Sequence, residues 1–208
     1  MMEIATQPRD DFITRLISTE VEGRRLTDVE ARTQLVFLFI SGNETTRHLM
    51  ANVLWTLAND PGLFQQLRAE RQLVPAAVEE SLRHDPPIRF LMRNCTVNAE
   101  LHGQYLSAND KVAFGLASAN RDESHFEEAD RFRVDRLDPR GHLAFGAGPH
   151  VCPGASLARL EARVAVEVFL DNVASVTPLD RGRYDPVDVF WAHGPQALEV
   201  ELESAVQV

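Results

Sequence analysis

From Thr27 to Asn59 the chain has no proline and is built largely of helix formers, so one unbroken helix of about 30 residues, roughly 45 Å at 1.5 Å per residue, is expected. Thr27 stands three residues before Glu30, the spacing of a capping box, and Asn59-Asp60-Pro61 closes the run. Few globular helices are so long. Its centre, LVFLFI from Leu35 to Ile40, is apolar on every side, which suits a helix running through the middle of a protein rather than along its surface. A fold organised around such a helix is mainly α. With 208 residues, 44% of them hydrophobic, a core of domain size can be buried, and a single domain over residues 1–208 is expected.

The rest of the chain is helical first and irregular later. Asp10 to Glu22 reads as a short amphipathic helix stopped by Gly23. Pro61 and Pro75 suit first helical turns, and Asp85-Pro86-Pro87 ends the second of those helices. From Ile88 the pattern changes to short β-type runs, Arg89 to Val97 and Lys111 to Leu116, and then Asn120 to Leu143 is polar and without clear period. A loop of that length normally has a job. A last helix, Ala155 to about Asn172, follows, and the tail offers one or two strands, including Ala197 to Leu202.

The charge of -10, from 31 acidic against 21 basic residues, argues against a broad nucleic-acid surface. No apolar run reaches the roughly 18 residues that a membrane span needs, and the start, MMEIATQPRDDF, lacks the pattern of a signal peptide. Two cysteines, Cys95 and Cys152, cannot make a disulfide scaffold, so a reducing, cytoplasmic location is expected.

Four local features could carry chemistry. In AFGAGPHVCPG, Ala144 to Gly154, the glycines Gly146, Gly148 and Gly154 permit unusual backbone angles, and Pro149 and Pro153 stiffen the path, so Cys152 is held at the mouth of a helix. Unsatisfied N–H groups there favour a thiolate. A buried structural thiol is the ordinary fate of a cysteine, but this turn argues for the reactive one. A zinc site on His150 and Cys152 lacks a second pair of ligands. In SGNETT, Ser41 to Thr46, Gly42 costs about 1 kcal/mol in a helix interior. Its polar neighbours make a notch where Thr45 and Glu44 could deliver protons; close packing on Gly42 with a solvated Glu44 is an equal alternative. ESLR places Glu80 and Arg83 on one helical face, which taken alone is an exposed pair worth about 0.3 kcal/mol. Arg93, after Phe90-Leu91-Met92, reads as an edge-strand arginine with a snorkelling stem.

Taken together and in this order, these features resemble the cytochrome P450 haem-thiolate monooxygenases of the soluble bacterial kind. Phe145 to Arg159 resembles the haem-binding signature, and this implies haem b (iron protoporphyrin IX) with Cys152 as axial ligand to the iron and Phe145, Gly146, Gly148 and Gly154 shaping its loop. SGNETT resembles the oxygen-activating motif, which implies proton handling by Glu44 and Thr45 and close approach of Gly42 to the haem. ESLR resembles the buried Glu-x-x-Arg, and ADRF, Ala129 to Phe132, implies Arg131 as third member of a structural triad with Glu80 and Arg83. By the same resemblance Arg93 and His150 hold the haem propionates, as forked or cationic donors can. ANRDESHF, Ala119 to Phe126, resembles the start of the meander that leads to the cysteine loop. Small departures are Ser41, where the family prefers alanine or glycine, and Ala129, where it prefers proline.

The resemblance spans about residues 10 to 202 and implies an α-rich α+β architecture equivalent to the C-terminal half of the P450 fold. Family members are about twice as long, so a second chain supplying the other half is one expected partner, and apolar surface on Leu35 to Ile40 should be exposed without it. Two functions remain open. One is a monooxygenase acting on a small organic substrate, with Ile88, Phe90, Leu91, Phe190 and Trp191 as candidates for an apolar pocket, plain core packing being the ordinary reading for at least half of them. Its electrons would come from a ferredoxin- or flavodoxin-like donor docking near Arg159, Arg163 and Arg68. The other is a truncated, non-catalytic haem-binding or accessory protein that needs a partner chain.

Overall fold

The structure, a computed structural model, describes residues 9–179 and 184–205. It divides into two compact units between Glu44 and Thr45.

The first unit opens with helix α1, Phe12–Ser18, whose start is capped by the Asp11 carboxylate accepting the Thr14 N–H at 2.7 Å. The helix expected to reach Glu22 stops earlier. Thr19 is extended, and Glu20–Val21 (β1) pairs antiparallel with Arg24–Arg25 (β2) through a turn in which Glu22 and Gly23 have φ of 52° and 79°. Two successive positive φ values are what a tight hairpin needs, so Gly23 turns a hairpin instead of ending a helix. Helix α2, Asp28–Asn59, follows with 32 residues. Its capping box is formed: Glu30 accepts the Thr27 N–H at 2.8 Å and the Thr27 hydroxyl accepts the Glu30 N–H at 3.3 Å. The apolar centre is not interior in this chain. Val36, Phe37, Leu38, Phe39 and Ile40 are all exposed, Phe39 to 75%.

The second unit holds the core. From Thr45 onward α2 contributes Leu49, Val53 and Leu57, which meet Phe64 and Leu67 of α3 (Pro61–Ala69) and Val74, Val78 and Leu82 of α4 (Val74–His84). Ala162, Val166 and Leu170 of α6 (Ala155–Asn172) close the cluster. Burial of such side chains, about 1.5–3 kcal/mol each, is the main force holding these helices together. Both prolines sit in first helical turns, where a missing N–H costs nothing.

Strand β3, Leu91–Asn94, pairs antiparallel with β6, Lys111–Phe114, inside the two expected β runs. Between them lies an unforeseen hairpin, Ala99–Leu101 (β4) with Gln104–Leu106 (β5), turning at His102 and Gly103 with φ of 47° and 77°. A short helix, α5, spans Leu116–Ala119. The segment from Asn120 to Leu143 contains no helix or strand, in keeping with its lack of period. After α6 the chain runs straight into β7, Val173–Pro178, which pairs with β8, Val200–Ser204. Among the described residues no helix is long and apolar enough to cross a membrane.

Candidate functional site

Cys152 lies between a 3₁₀ turn, Gly148–His150, and the first residue of α6. Gly146 and Gly148 both have φ of 70°, the left-handed region in which a side chain is strained. Gly154 has an ordinary φ of -86°, and a Cβ there would stand in ordinary contact, 3.9 Å from the Cys152 sulfur, so neither strain nor space requires glycine at this position. The loop is closed by the Cys152 N–H donating to the Phe145 carbonyl at 2.9 Å and the Gly146 N–H to that of Leu143 at 2.8 Å. Cys152 itself is half-buried and unpaired. A sulfur presented at a helix mouth, where the first N–H groups lack intrahelical partners, is a soft donor of the kind that takes haem iron, and this donor chemistry fits the group.

Phe145 is held from one side by Arg159 of α6, whose guanidinium carbon lies 4.5 Å from the ring centroid. Arg159 in turn binds Glu79 of α4, with Nε 2.6 Å and Nη2 3.1 Å from its two oxygens. His142 reaches the same carboxylate through Nε2 at 3.0 Å, while its Nδ1 accepts the Ala144 N–H at 3.2 Å. Burial pushes the Glu79 carboxyl up, but the hydrogen bonds from His142 and Arg159 outweigh it and hold the group below its ordinary value of 4.5. Sequence reasoning missed this cluster. Glu79 stands beside Glu80, and a simple amphipathic helix would turn one of the two to water; α4 instead buries every residue from Ala77 to Arg83.

Glu80 and Arg83 form the expected pair, and the pair is buried: Arg83 Nε and Nη2 lie 2.8 and 2.7 Å from the carboxylate, with side chains 1% and 2% exposed. The third arginine is a correction. Arg136 places Nε 3.0 Å from both Glu80 oxygens, whereas the Arg131 side chain points to Glu128 in solvent and only its backbone carbonyl accepts from Arg83 and Arg136. In an aperiodic loop, nothing in the sequence says which of several arginines turns inward.

The apolar wall residues come together as two adjoining segments. Ile88 bridges Ala192, the Arg89 N–H donates to the Trp191 carbonyl at 2.8 Å, and the rings of Phe90 and Phe190 are 5.4 Å apart. Leu91 and Phe190 are exposed, so this surface is open. Beneath it lies a second unforeseen cluster: Asp85 accepts from His84 Nδ1 at 2.7 Å, Arg121 at 3.1 Å and His193 Nε2 at 3.2 Å, and Arg89 donates to His193 Nδ1 at 2.7 Å.

Arg93 is exposed on β3, its guanidinium donating to the Met92 carbonyl at 3.0 Å, and His150 is exposed in the 3₁₀ turn. Gly42 and Glu44 lie in the first unit and Thr45 begins the second. The notch does not break the helix, and the Ser41 hydroxyl bonds back to the Phe37 carbonyl. A Cβ added at Gly42 meets no atom within 4 Å, so close packing does not explain this glycine in the present chain. Of the arginines read as a docking patch, Arg68 donates to the Ala174 carbonyl at 2.9 Å and Arg159 is taken by Glu79; Arg163 stays largely exposed.

A mainly helical α+β scaffold with a cysteine loop braced against a buried Glu–Arg cluster defines the architecture of the haem-thiolate proteins. The family model described as Cytochrome P450 matches residues 2–179, and the chain belongs to that family. It is 40% identical over 197 residues to cyclomarin C epoxidase CymV of Salinispora arenicola, covering 94% of this chain and 49% of that protein. It is 36% identical over 202 residues to a steroid C26-monooxygenase of Mycolicibacterium smegmatis, covering 97% and 50%. The solved structure of cytochrome P450 CYP109Q5 from Chondromyces apiculatus superposes with a TM-score of 0.92 at 38% identity, over 98% of this chain and 52% of that one. The chain thus spans about half the length of the curated relatives it matches.

Proposed function

We propose that this chain is the haem-bearing part of a haem-thiolate monooxygenase, with Cys152 as the axial ligand of haem b. The observation that carries the reading is the Cys152 loop, in which two left-handed glycines and the Phe145 carbonyl hold a half-buried sulfur at the mouth of α6. When bound, the haem supplies activation of O2, so that one oxygen atom enters an organic substrate and the other leaves as water at the expense of two electrons and two protons. The chain supplies the rest. Arg93 and His150, both exposed cations or donors, hold the propionates. Glu44 and Thr45 hold and pass protons at the carboxyl and hydroxyl. Ile88, Phe90, Leu91, Phe190 and Trp191 present the apolar wall for a small organic substrate, in line with relatives named as a cyclomarin C epoxidase and as a steroid C26-monooxygenase. A ferredoxin- or flavodoxin-like donor would meet Arg163, exposed beside Glu167, more readily than Arg159, which Glu79 holds. Two reduced cysteines favour a cytoplasmic location.

One observation favours a second reading. The exposed run Val36 to Ile40 is a surface that a partner polypeptide would cover, as expected of an accessory or split form that binds haem without turnover of its own. Haem-loaded protein reduced under carbon monoxide separates the outcomes. A red-shifted Soret band with peroxide-supported oxidation of an apolar probe substrate supports the enzyme; the band without turnover supports the accessory form; no such band in folded, haem-loaded protein removes the enzyme and with it Cys152 as ligand.

A further inference from the structure

The Cys152 loop is anchored at two adjacent residues, and both anchors end on one carboxylate. Ala144 donates its N–H to His142 Nδ1, so the proton of neutral His142 must sit on Nε2, where it is donated to Glu79. Phe145 lies against the Arg159 guanidinium, which Glu79 grips through both oxygens. The Phe145 carbonyl then accepts the Cys152 N–H. Glu79 is 5% exposed.

We propose that Glu79 is a positioning residue for Cys152: through His142 and Arg159 it fixes Ala144 and Phe145, and through the Phe145 carbonyl it fixes the direction and exposure of the sulfur. The proposal rests on the reading of Cys152 as the haem ligand, but its geometry belongs to the chain alone. Replacing the carboxylate by an amide weakens the anchoring: with its oxygen at the Oε2 position it still accepts from His142 and Arg159 Nη2 but sets an N–H group against Arg159 Nε, and turned the other way it sets that group against both His142 and Arg159 Nη2.

The test is made in a Cys95→Ala background with Glu79→Ala, Glu79→Gln and, as a destabilised control outside the loop and its anchors, Gly194→Ala. In haem-free protein, the alkylation rate of Cys152 by iodoacetamide should change by roughly threefold or more in both Glu79 variants and remain at the parental rate in the control. In haem-loaded protein, the carbon monoxide complex should move from the thiolate band toward the neutral-thiol band, further for alanine than for glutamine. Glutamine, being isosteric, decides if the alanine variant does not fold. Parental alkylation rates and bands in a folded Glu79→Gln protein would overturn the proposal. A parent that takes up haem without a thiolate band would instead overturn the ligand assignment, and the alkylation rates would still decide the role of Glu79.

Discussion

Arg136 lays its Nε 3.0 Å from both oxygens of Glu80 while Arg83 grips the same oxygens at 2.7 and 2.8 Å, so one buried carboxylate is shared by two guanidinium groups. The remaining donors are satisfied by backbone: Arg83 reaches the carbonyls of Asn120 and Ala129, and Arg136 those of Glu127 and Glu128. This is how an aperiodic loop is tied to α4. Glu80→Ala leaves two buried cations unpaired and is expected to cost about 3–5 kcal/mol or to prevent folding. Arg136→Ala should cost less, since Arg83 still satisfies the carboxylate, and Arg131→Ala should leave the urea midpoint unchanged because its side chain is solvated. Equal losses for Arg131→Ala and Arg136→Ala would contradict this assignment.

Asp85 sets the acid limit of the fold. Burial raises its carboxyl, but hydrogen bonds from His193 and His84 and the charge of Arg121 outweigh this and hold it well below the ordinary 3.8. A carboxyl lowered on folding stabilises the native chain in full above its unfolded value and loses that contribution as pH falls through the native one. Stability from Asp85 is therefore complete above about pH 4 and declines below it. Asp85→Asn should lose about 2 kcal/mol at pH 7 and show a flatter stability profile between about pH 4 and 2 than the parent. Parallel profiles for the two proteins in urea titrations would count against the network.

Gly194 is a packing requirement. A Cβ there would stand 2.4 Å from Cδ2 of the buried His48 ring, which cannot swing aside as the tip of a long side chain could. Gly194→Ala is expected to cost about 1–3 kcal/mol through overpacking. His48→Ala should relieve the clash, so a double variant no less stable than His48→Ala alone checks the contact.

These three sites show where the sequence was readable and where it was not. The length of α2, its capping box and the extent of α6 follow from local rules that need only neighbouring residues, and each was legible. So was the cysteine loop, because glycines and prolines at fixed offsets allow few backbone paths. Arg136, Glu79 and Asp85 were not. Each acts through partners 50 or more residues away, at Glu80, His142 and His193. Their inward direction is decided by tertiary packing of an aperiodic loop and of a helix buried all round. The exposure of Val36 to Ile40 was legible only through the resemblance, since a helix apolar on every side otherwise reads as interior.

The ligand assignment itself is settled by a pair of single variants in haem-loaded protein, with the reduced carbon monoxide spectrum as readout. Cys95 lies beside β3, its thiol donating to the Val97 carbonyl, and has no place in the loop that presents Cys152. Cys95→Ala should keep the red-shifted Soret band at parental intensity, and Cys152→Ala should abolish it. Survival of that band in Cys152→Ala, or its equal loss in both variants, would contradict the account.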